Sequence, residues 1–174
     1  MQSKLSITRK TYYALGMVGV ALSMAGSFFV VFSQGMALLD NIAFILTGLM
    51  FLFLASVQGS PKPVKSRYFF CFVLLLLGAG VLYIVPLVNR LAAALCWPVF
   101  LWAEEQRQGG LRSQAAAVSG VEAVSFVLGL LVAPGGMQGL IPVANVLWVA
   151  TTFVRAWAIL TLYKKECARQ QDEP

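Results

Sequence analysis

Long apolar runs limit what this chain can fold into more than any other feature of its sequence. Six of them follow one another along the 174 residues, and most approach the roughly 20 residues that carry a helix across a bilayer. They lack the alternation of barrel strands, and lipid admits only helices and closed barrels because every backbone polar group must be bonded internally. The predicted spans are Thr11–Ser33, Leu38–Val57, Tyr68–Val88, Leu91–Ala103, Gln114–Val132 and Leu140–Tyr163. The sequence therefore predicts an all-α, polytopic membrane protein, with residues 1–174 forming one integral membrane domain of about six transmembrane helices.

Composition agrees with a membrane class and argues against a nucleic-acid partner. Only 11% of the residues are charged and 59% are hydrophobic, whereas a soluble domain is about a quarter charged. The net charge of +6 resides in short clusters that flank the apolar runs, which is how membrane proteins fix their orientation. The lipid bilayer is the partner that these clusters predict.

The basic residues also give the orientation. Eleven of the thirteen lie before the first span or after the second, fourth and sixth. They are Lys4, Arg9, Lys10, Lys62, Lys65, Arg67, Arg107, Arg112, Lys164, Lys165 and Arg169. Aromatic residues that favour the headgroup region stand at the same helix ends: Tyr12, Tyr13, Tyr68, Trp102 and Tyr163. By the positive-inside rule, both termini of this multi-pass protein are predicted to be cytoplasmic.

A weak internal repeat suggests how the spans are grouped. A shift of 101 residues pairs Gly19 with Gly120 and Ala43 with Ala144, as expected if the chain is three in-out-in hairpins. Three stretches run apolar with spaced glycines: GMVGVALSMAGSFFVVFSQG, LLLLGAGVLYIVPLVNRLAA and GVEAVSFVLGLLVAPGGMQG. The last two contain a proline near the outer helix end, where the first has Gln34.

With these stretches the whole chain resembles the six-helix acid-resistance membrane proteins of the HdeD type, which are built from such hairpins. The resemblance implies a bacterial inner-membrane protein connected with stress tolerance rather than an enzyme. It carries over no catalytic residues.

Opposite charges inside neighbouring spans form the first candidate site. Glu122 lies about eight residues into the fifth span and Arg155 about eight before the end of the sixth, so both stand roughly 12 Å from the cytoplasmic boundary. Each alone would cost about 2.5–3.5 kcal/mol in the membrane, and we expect them to pair. Polar residues predicted on the same helix faces are Ser119, Ser125, Asn145 and Thr152. Two interpretations stay open: contacts that hold helices together, or a ligand site, ion site or proton relay.

Two carboxylates at the end of the fourth span form a second, interfacial candidate. From Arg90 to Glu104 a helix covers only about 21 Å of a core about 30 Å thick. Either the helix runs on to Gln106 and draws the carboxylates toward the membrane, or the bilayer thins locally. We expect Glu104 and Glu105 to lie at a solvated helix end, where Glu104 can pair with Arg107 or Gln108 one turn on.

Nothing in the sequence points to catalysis or to a metal. It contains no His, and its three Cys form no metal-like spacing. We therefore expect a non-enzymatic protein without a metal or cofactor. The alternative is a transport component for a small, vitamin-like molecule, whose cavity would be lined by aromatics such as Tyr83 and Trp148, or a membrane subunit of a larger complex.

Small residues on the first span allow another helix to approach closely. Gly19, Ser23 and Gly26 lie along one face, and Ala21 and Ala25 lie along another. Such spacing serves packing within the bundle, or the docking of a membrane protein partner or a second copy of this chain.

Overall fold

The computed structural model describes residues 2–32, 37–58, 60–81, 86–132 and 136–171, and within these ranges the chain is all-α without strands. In these ranges six α-helices follow one another: α1 (Gln2–Phe32), α2 (Ala37–Ser56), α3 (Lys62–Val81), α4 (Pro86–Gln108), α5 (Arg112–Leu131) and α6 (Ile141–Gln171). A 3₁₀ turn, Gln138–Leu140, precedes α6. The prediction of an all-α chain is confirmed.

Prolines and glycines set several helix ends. Pro86 is the first residue of α4 and Pro142 the second of α6, positions where the missing backbone N–H costs nothing. Between α4 and α5, Gly109 and Gly110 adopt positive φ angles of 69° and 68°, which favour glycine because it has no Cβ. These two residues reverse the chain so that α5 returns beside α4.

The helices form a closed ring in which each packs against the next and α6 packs against α1. Because the connections are short, successive helices run antiparallel. The starts of α1 and α3 and the ends of α4 and α6 consequently meet at one end of the bundle. The hairpins α1–α2, α3–α4 and α5–α6 are present, but α2 also packs on α3 and α4 on α5, so the ring is continuous.

A chain of aromatic rings fills the centre. Phe51 of α2 lies 4.9 Å from Phe100 and 6.1 Å from Trp97, measured between ring centroids. Tyr68 of α3 lies 6.0 Å from Phe100. Trp97 and Phe100 stand on one face of α4, followed one turn later by Glu104. The aromatic rings therefore lie between two polar groups, Arg155 beside Trp97 and Glu104 one turn beyond Phe100.

Within the described residues, two helices are long and apolar enough to cross a membrane: Arg112–Leu131 and Gln138–Arg169. The segment Asn41–Ser56 is apolar but shorter. The two candidate spans, which correspond to α5 and α6, support the prediction of a membrane protein.

Candidate functional site

The structure brings Glu122 and Arg155 into contact. Nε of Arg155 donates to Oε1 of Glu122 across 2.5 Å. Only 2% of Glu122 and 3% of Arg155 is exposed. Each lies about eight residues from the same end of its predicted span, so antiparallel packing places them side by side, as the sequence register predicts.

Tryptophans complete the surroundings of the Arg155 guanidinium. It lies 5.7 Å from the ring centroids of both Trp97 and Trp148, within range of a cation–π attraction. Arg90, at the start of α4, faces Trp148 at 5.3 Å. The Nη2 atom of Arg155 is buried and donates to none of the described residues. Tyr83, the other aromatic expected at a ligand cavity, lies outside the described residues.

The remaining polar residues of α5 and α6 do not all join this pair. The hydroxyl of Ser119 donates to the carbonyl of Ala115, and that of Thr152 donates to the carbonyl of Val149, each across 2.7 Å. Such bonds to the preceding turn satisfy a hydroxyl within its own helix. Of the other two polar residues predicted on these faces, Ser125 is buried and Asn145 is half-buried. Glu122 and Arg155 therefore form the polar contact between α5 and α6.

Glu104 lies in a second polar group, and the expectation that it is solvated is wrong. Its side chain is fully buried. Oε1 accepts from the hydroxyls of Tyr13 (2.7 Å) and Tyr68 (2.6 Å). Oε2 accepts from Nε of Arg107 (2.7 Å) and Nε2 of Gln108 (3.3 Å), the two partners expected from the helical spacing. The helix α4 continues to Gln108 and turns this carboxylate inward, where four donors compensate for the lost water.

The contacts of Arg107 extend this group to α6. Its Nη2 donates to Oε1 of Glu166 across 2.7 Å and to the Tyr13 hydroxyl across 3.1 Å. Burial is the largest single influence and lowers the pKa of the Arg107 guanidinium, but Glu104, Tyr13 and Glu166 together outweigh it, so the pKa is raised above its ordinary value.

Arg9 of α1 completes the group. Its Nη1 lies 3.8 Å from Oε1 of Glu104, and its Nη2 donates to the hydroxyl of Ser60, between α2 and α3. We refer to Arg9, Tyr13, Tyr68, Glu104, Arg107 and Glu166 as the Glu104 cluster. It contains two guanidinium groups and two carboxylates, and it joins α1, α3, α4 and α6. The more exposed Arg169 adds a third guanidinium at its edge, 3.3 Å from Oε1 of Glu166.

Glu105 has a different, local role. It is half-buried, and its Oε2 accepts from the backbone N–H of Leu111 across 2.5 Å, at the start of α5. On the other side of this turn, Nζ of Lys165 donates to the carbonyls of Gly109 and Gly110, each across 2.8 Å. These bonds hold the α4–α5 connection in place.

Small residues of α1 pack inside the ring. A Cβ added at Gly19 would come within 2.7 Å of Oγ1 of Thr47 and 3.1 Å of the carbonyl oxygen of Ala43. Gly19, Ser23 and Gly26 are buried, whereas Ala21 is exposed. The first face of α1 is therefore covered by the chain itself, and a partner could reach only the other face without opening the bundle.

Two cavities bear on ligand binding. One, between α1, α2, α3, α4 and α6, has a volume of ≈ 20 Å³, and Ser23, Thr47, Trp97 and Arg155 are among its lining residues. The other, of ≈ 210 Å³ between α2 and α3, is lined by apolar residues. Across the described part of the chain, no three His, Cys, Asp or Glu side chains group as metal ligands would.

Comparison with protein-family models, with curated proteins and with solved structures finds no match for this chain. The likeness to the HdeD type stays a prediction from the sequence.

Proposed function

We propose that this is a non-enzymatic membrane protein whose six helices all cross the bilayer with both termini in the cytoplasm. In line with its resemblance to the HdeD type, we further propose that it serves tolerance of acid stress in a bacterial inner membrane. The observation that carries the membrane assignment is an inverted distribution of polarity, with charged residues inside the bundle and apolar ones outside.

The inversion is visible in individual side chains. Leu76 is 57% exposed, Val124 53% and Val146 67%, on three different helices. Glu104 and Glu122, by contrast, are buried. In water such an arrangement would expose large apolar surface while burying charge. In lipid it is favourable, because intramembrane charges face the bundle interior and pair there.

Side-by-side packing extends the argument from α5 and α6 to the other helices. Among the described residues, only these two helices are both long enough and apolar enough to cross a membrane by themselves. In a closed ring, however, α4 packs on α5 and α1 on α6, so helices at the same height would share the bilayer. The charges of α3 are confined to its first turns, at Lys62, Lys65 and Arg67, and leave an apolar segment behind them. The ring therefore favours six spans.

The orientation of the bundle in the membrane is inferred from the charge of the end at which the Glu104 cluster lies. That end also carries Lys165 and most of the other basic residues, and the positive-inside rule assigns such an end to the cytoplasm.

The dimensions of the cavities favour a role other than vitamin transport. Sites for small molecules usually measure about 300–1,000 Å³ and contain a few polar groups. The cavity at Arg155, ≈ 20 Å³, is far smaller, and the larger cavity at Phe44 and Phe72 is apolar.

Topology is tested by labelling single cysteines in a background without Cys71, Cys96 and Cys167. An impermeant thiol reagent applied to intact cells should label a cysteine at Gly136 and spare one at Ser60 or Gln170. Labelling at Ser60 before lysis would contradict the six-span orientation.

The stress role is tested by survival. Host cells that lack the gene should lose viability under acid challenge and regain it with the wild-type gene. Equal survival of the deleted and complemented strains would reject the acid-tolerance role without affecting the topology.

A further inference from the structure

The small cavity beside Arg155 combines apolar walls with polar groups from three helices. Ser23 comes from α1, Thr47 from α2 and Arg155 from α6. Its other walls are apolar: Val20, Ala43, Phe44, Leu75, Ala93 and Trp97. Close packing of α1 on α2 at Gly19, where an added Cβ would meet Thr47, brings the two hydroxyl-bearing helices together at this level.

Two polar atoms of these lining residues are buried without a partner. Nη2 of Arg155 and Oγ of Ser23 form no hydrogen bond with any described residue. Their residues are 3% and 6% exposed. Buried polar groups nearly always have a partner in protein or water, because an unmade hydrogen bond costs free energy.

We propose that this cavity binds a neutral, water-sized hydrogen-bonding ligand, which in the cell is water. The ligand accepts from Nη2 of Arg155 and bonds to the hydroxyl of Ser23, with Thr47 as the third polar neighbour. A buried water needs roughly 10–15 Å³ and two to four polar partners. The cavity volume of ≈ 20 Å³ and its three polar side chains meet both conditions.

Charge balance selects a neutral ligand. Among the lining residues Arg155 alone is charged, and it is already paired with Glu122 at 2.5 Å. Arg90 also faces Trp148 but does not line the cavity, so an anion there would add a negative charge without a counter-ion in the cavity wall. A cation would meet the guanidinium directly. A neutral ligand leaves the balance intact and connects the Glu122–Arg155 pair of α5 and α6 to α1.

The first test compares two serines on the same helix. Ser27 is also buried, and its Oγ also lacks a partner among the described residues, but it does not line the cavity. Ser23→Ala should lower the melting temperature in detergent by several degrees, because the ligand loses a partner. Ser27→Ala should leave it unchanged or raise it. Equal shifts for the two variants would overturn the proposal.

The second test detects the ligand in the wild-type protein. Brief X-ray radiolysis generates hydroxyl radicals from internal water and oxidises adjacent rings, which mass spectrometry locates. Trp97, which lines the cavity and is 2% exposed, should be oxidised faster than Phe100, which is fully buried but does not line the cavity, after allowance for intrinsic reactivity. Oxidation of Trp97 at the rate of Phe100 would overturn the proposal, even if Ser23→Ala failed to fold.

A salt exchange tests the neutrality of the ligand. Replacing chloride with gluconate at constant ionic strength should not change the melting temperature. A stabilisation by chloride that disappears in Arg155→Leu would overturn the neutral assignment and identify an anion site.

Discussion

Glu104→Gln is the perturbation that tests the Glu104 cluster most directly, because it removes the charge and keeps the size of the side chain. The carboxylate accepts from Tyr13 and Tyr68 at one oxygen and from Arg107 and Gln108 at the other. An amide offers one acceptor oxygen. Its NH₂ group would either face the donors of Arg107 and Gln108 or require the tyrosine hydroxyls to turn.

The expected loss follows from the charge left behind. Removing one partner of a buried ion pair costs about 3–5 kcal/mol. Arg107 keeps its bond to Glu166 at 2.7 Å and its side chain is 12% exposed, so we expect the lower end, about 3 kcal/mol. At about 2–4 °C per kcal/mol for a chain of this size, the melting temperature should fall by roughly 6–12 °C.

The neighbouring residue supplies a matched control. Glu105→Gln makes the same chemical change, but the half-buried Glu105 accepts a single backbone bond, from Leu111, which an amide oxygen can also accept. Its expected loss is below about 1 kcal/mol. Both variants are measured by intrinsic tryptophan fluorescence during heating in detergent. A loss of similar size for Glu104→Gln and Glu105→Gln would refute the assignment of Glu104 to a buried network.

Two further predictions concern the helix contacts. Glu122→Gln and Arg155→Leu should each lower the free energy of unfolding by about 3–5 kcal/mol, because a lone buried charge remains. The double variant should recover much of this loss. Strictly additive losses in the thermal assay would mean that the two residues do not interact. If the stable double variant also fails to restore survival in acid, the pair is a working site rather than a structural contact. Gly19→Ala should destabilise the protein, because its Cβ would meet the α2 backbone at 3.1 Å, whereas Gly120→Ala meets nothing within 4 Å and should stabilise by up to about 1 kcal/mol through helix propensity. Equal effects of the two glycine variants on melting temperature would contradict the close approach of α1 to α2.

Register along neighbouring helices is what made the contact between Glu122 and Arg155 predictable. The two residues lie at the same depth on consecutive spans joined by a short loop, so antiparallel packing alone places them together. The burial of Glu104 was not predictable in this way. Its tyrosine partners are separated from it by 91 and 36 residues, and no local pattern states which helices adjoin in the ring.

The tyrosines show why pattern alone was insufficient. At the ends of apolar runs, Tyr13 and Tyr68 fit the usual position of interfacial aromatics, yet both are fully buried. The acidic Glu104, predicted at the same end of the bundle, was the available signal that their hydroxyls had a partner. The repeat misleads in a similar way, because Gly19 is tightly packed while its counterpart Gly120 faces open space. Equal residues at equal spacing do not occupy equal environments when only one of them faces a neighbouring helix.

The helix α4 explains why the fourth apolar run is so short. One face of α4 presents Trp97 to Arg155 and, seven residues later, Glu104 to the tyrosines of α1 and α3. That separation is about 10.5 Å along the helix, so a single face connects both polar groups. A polar residue that makes such a contact lowers the mean hydropathy of the fourth apolar run, although its side chain points into the ring of helices. Hydropathy therefore counts Glu104 against the fourth span, although the observed burial places it on the inner face. In the proposed six-span topology, the fourth apolar run is therefore shorter than α4 itself, because α4 uses polar residues for contacts inside the bundle.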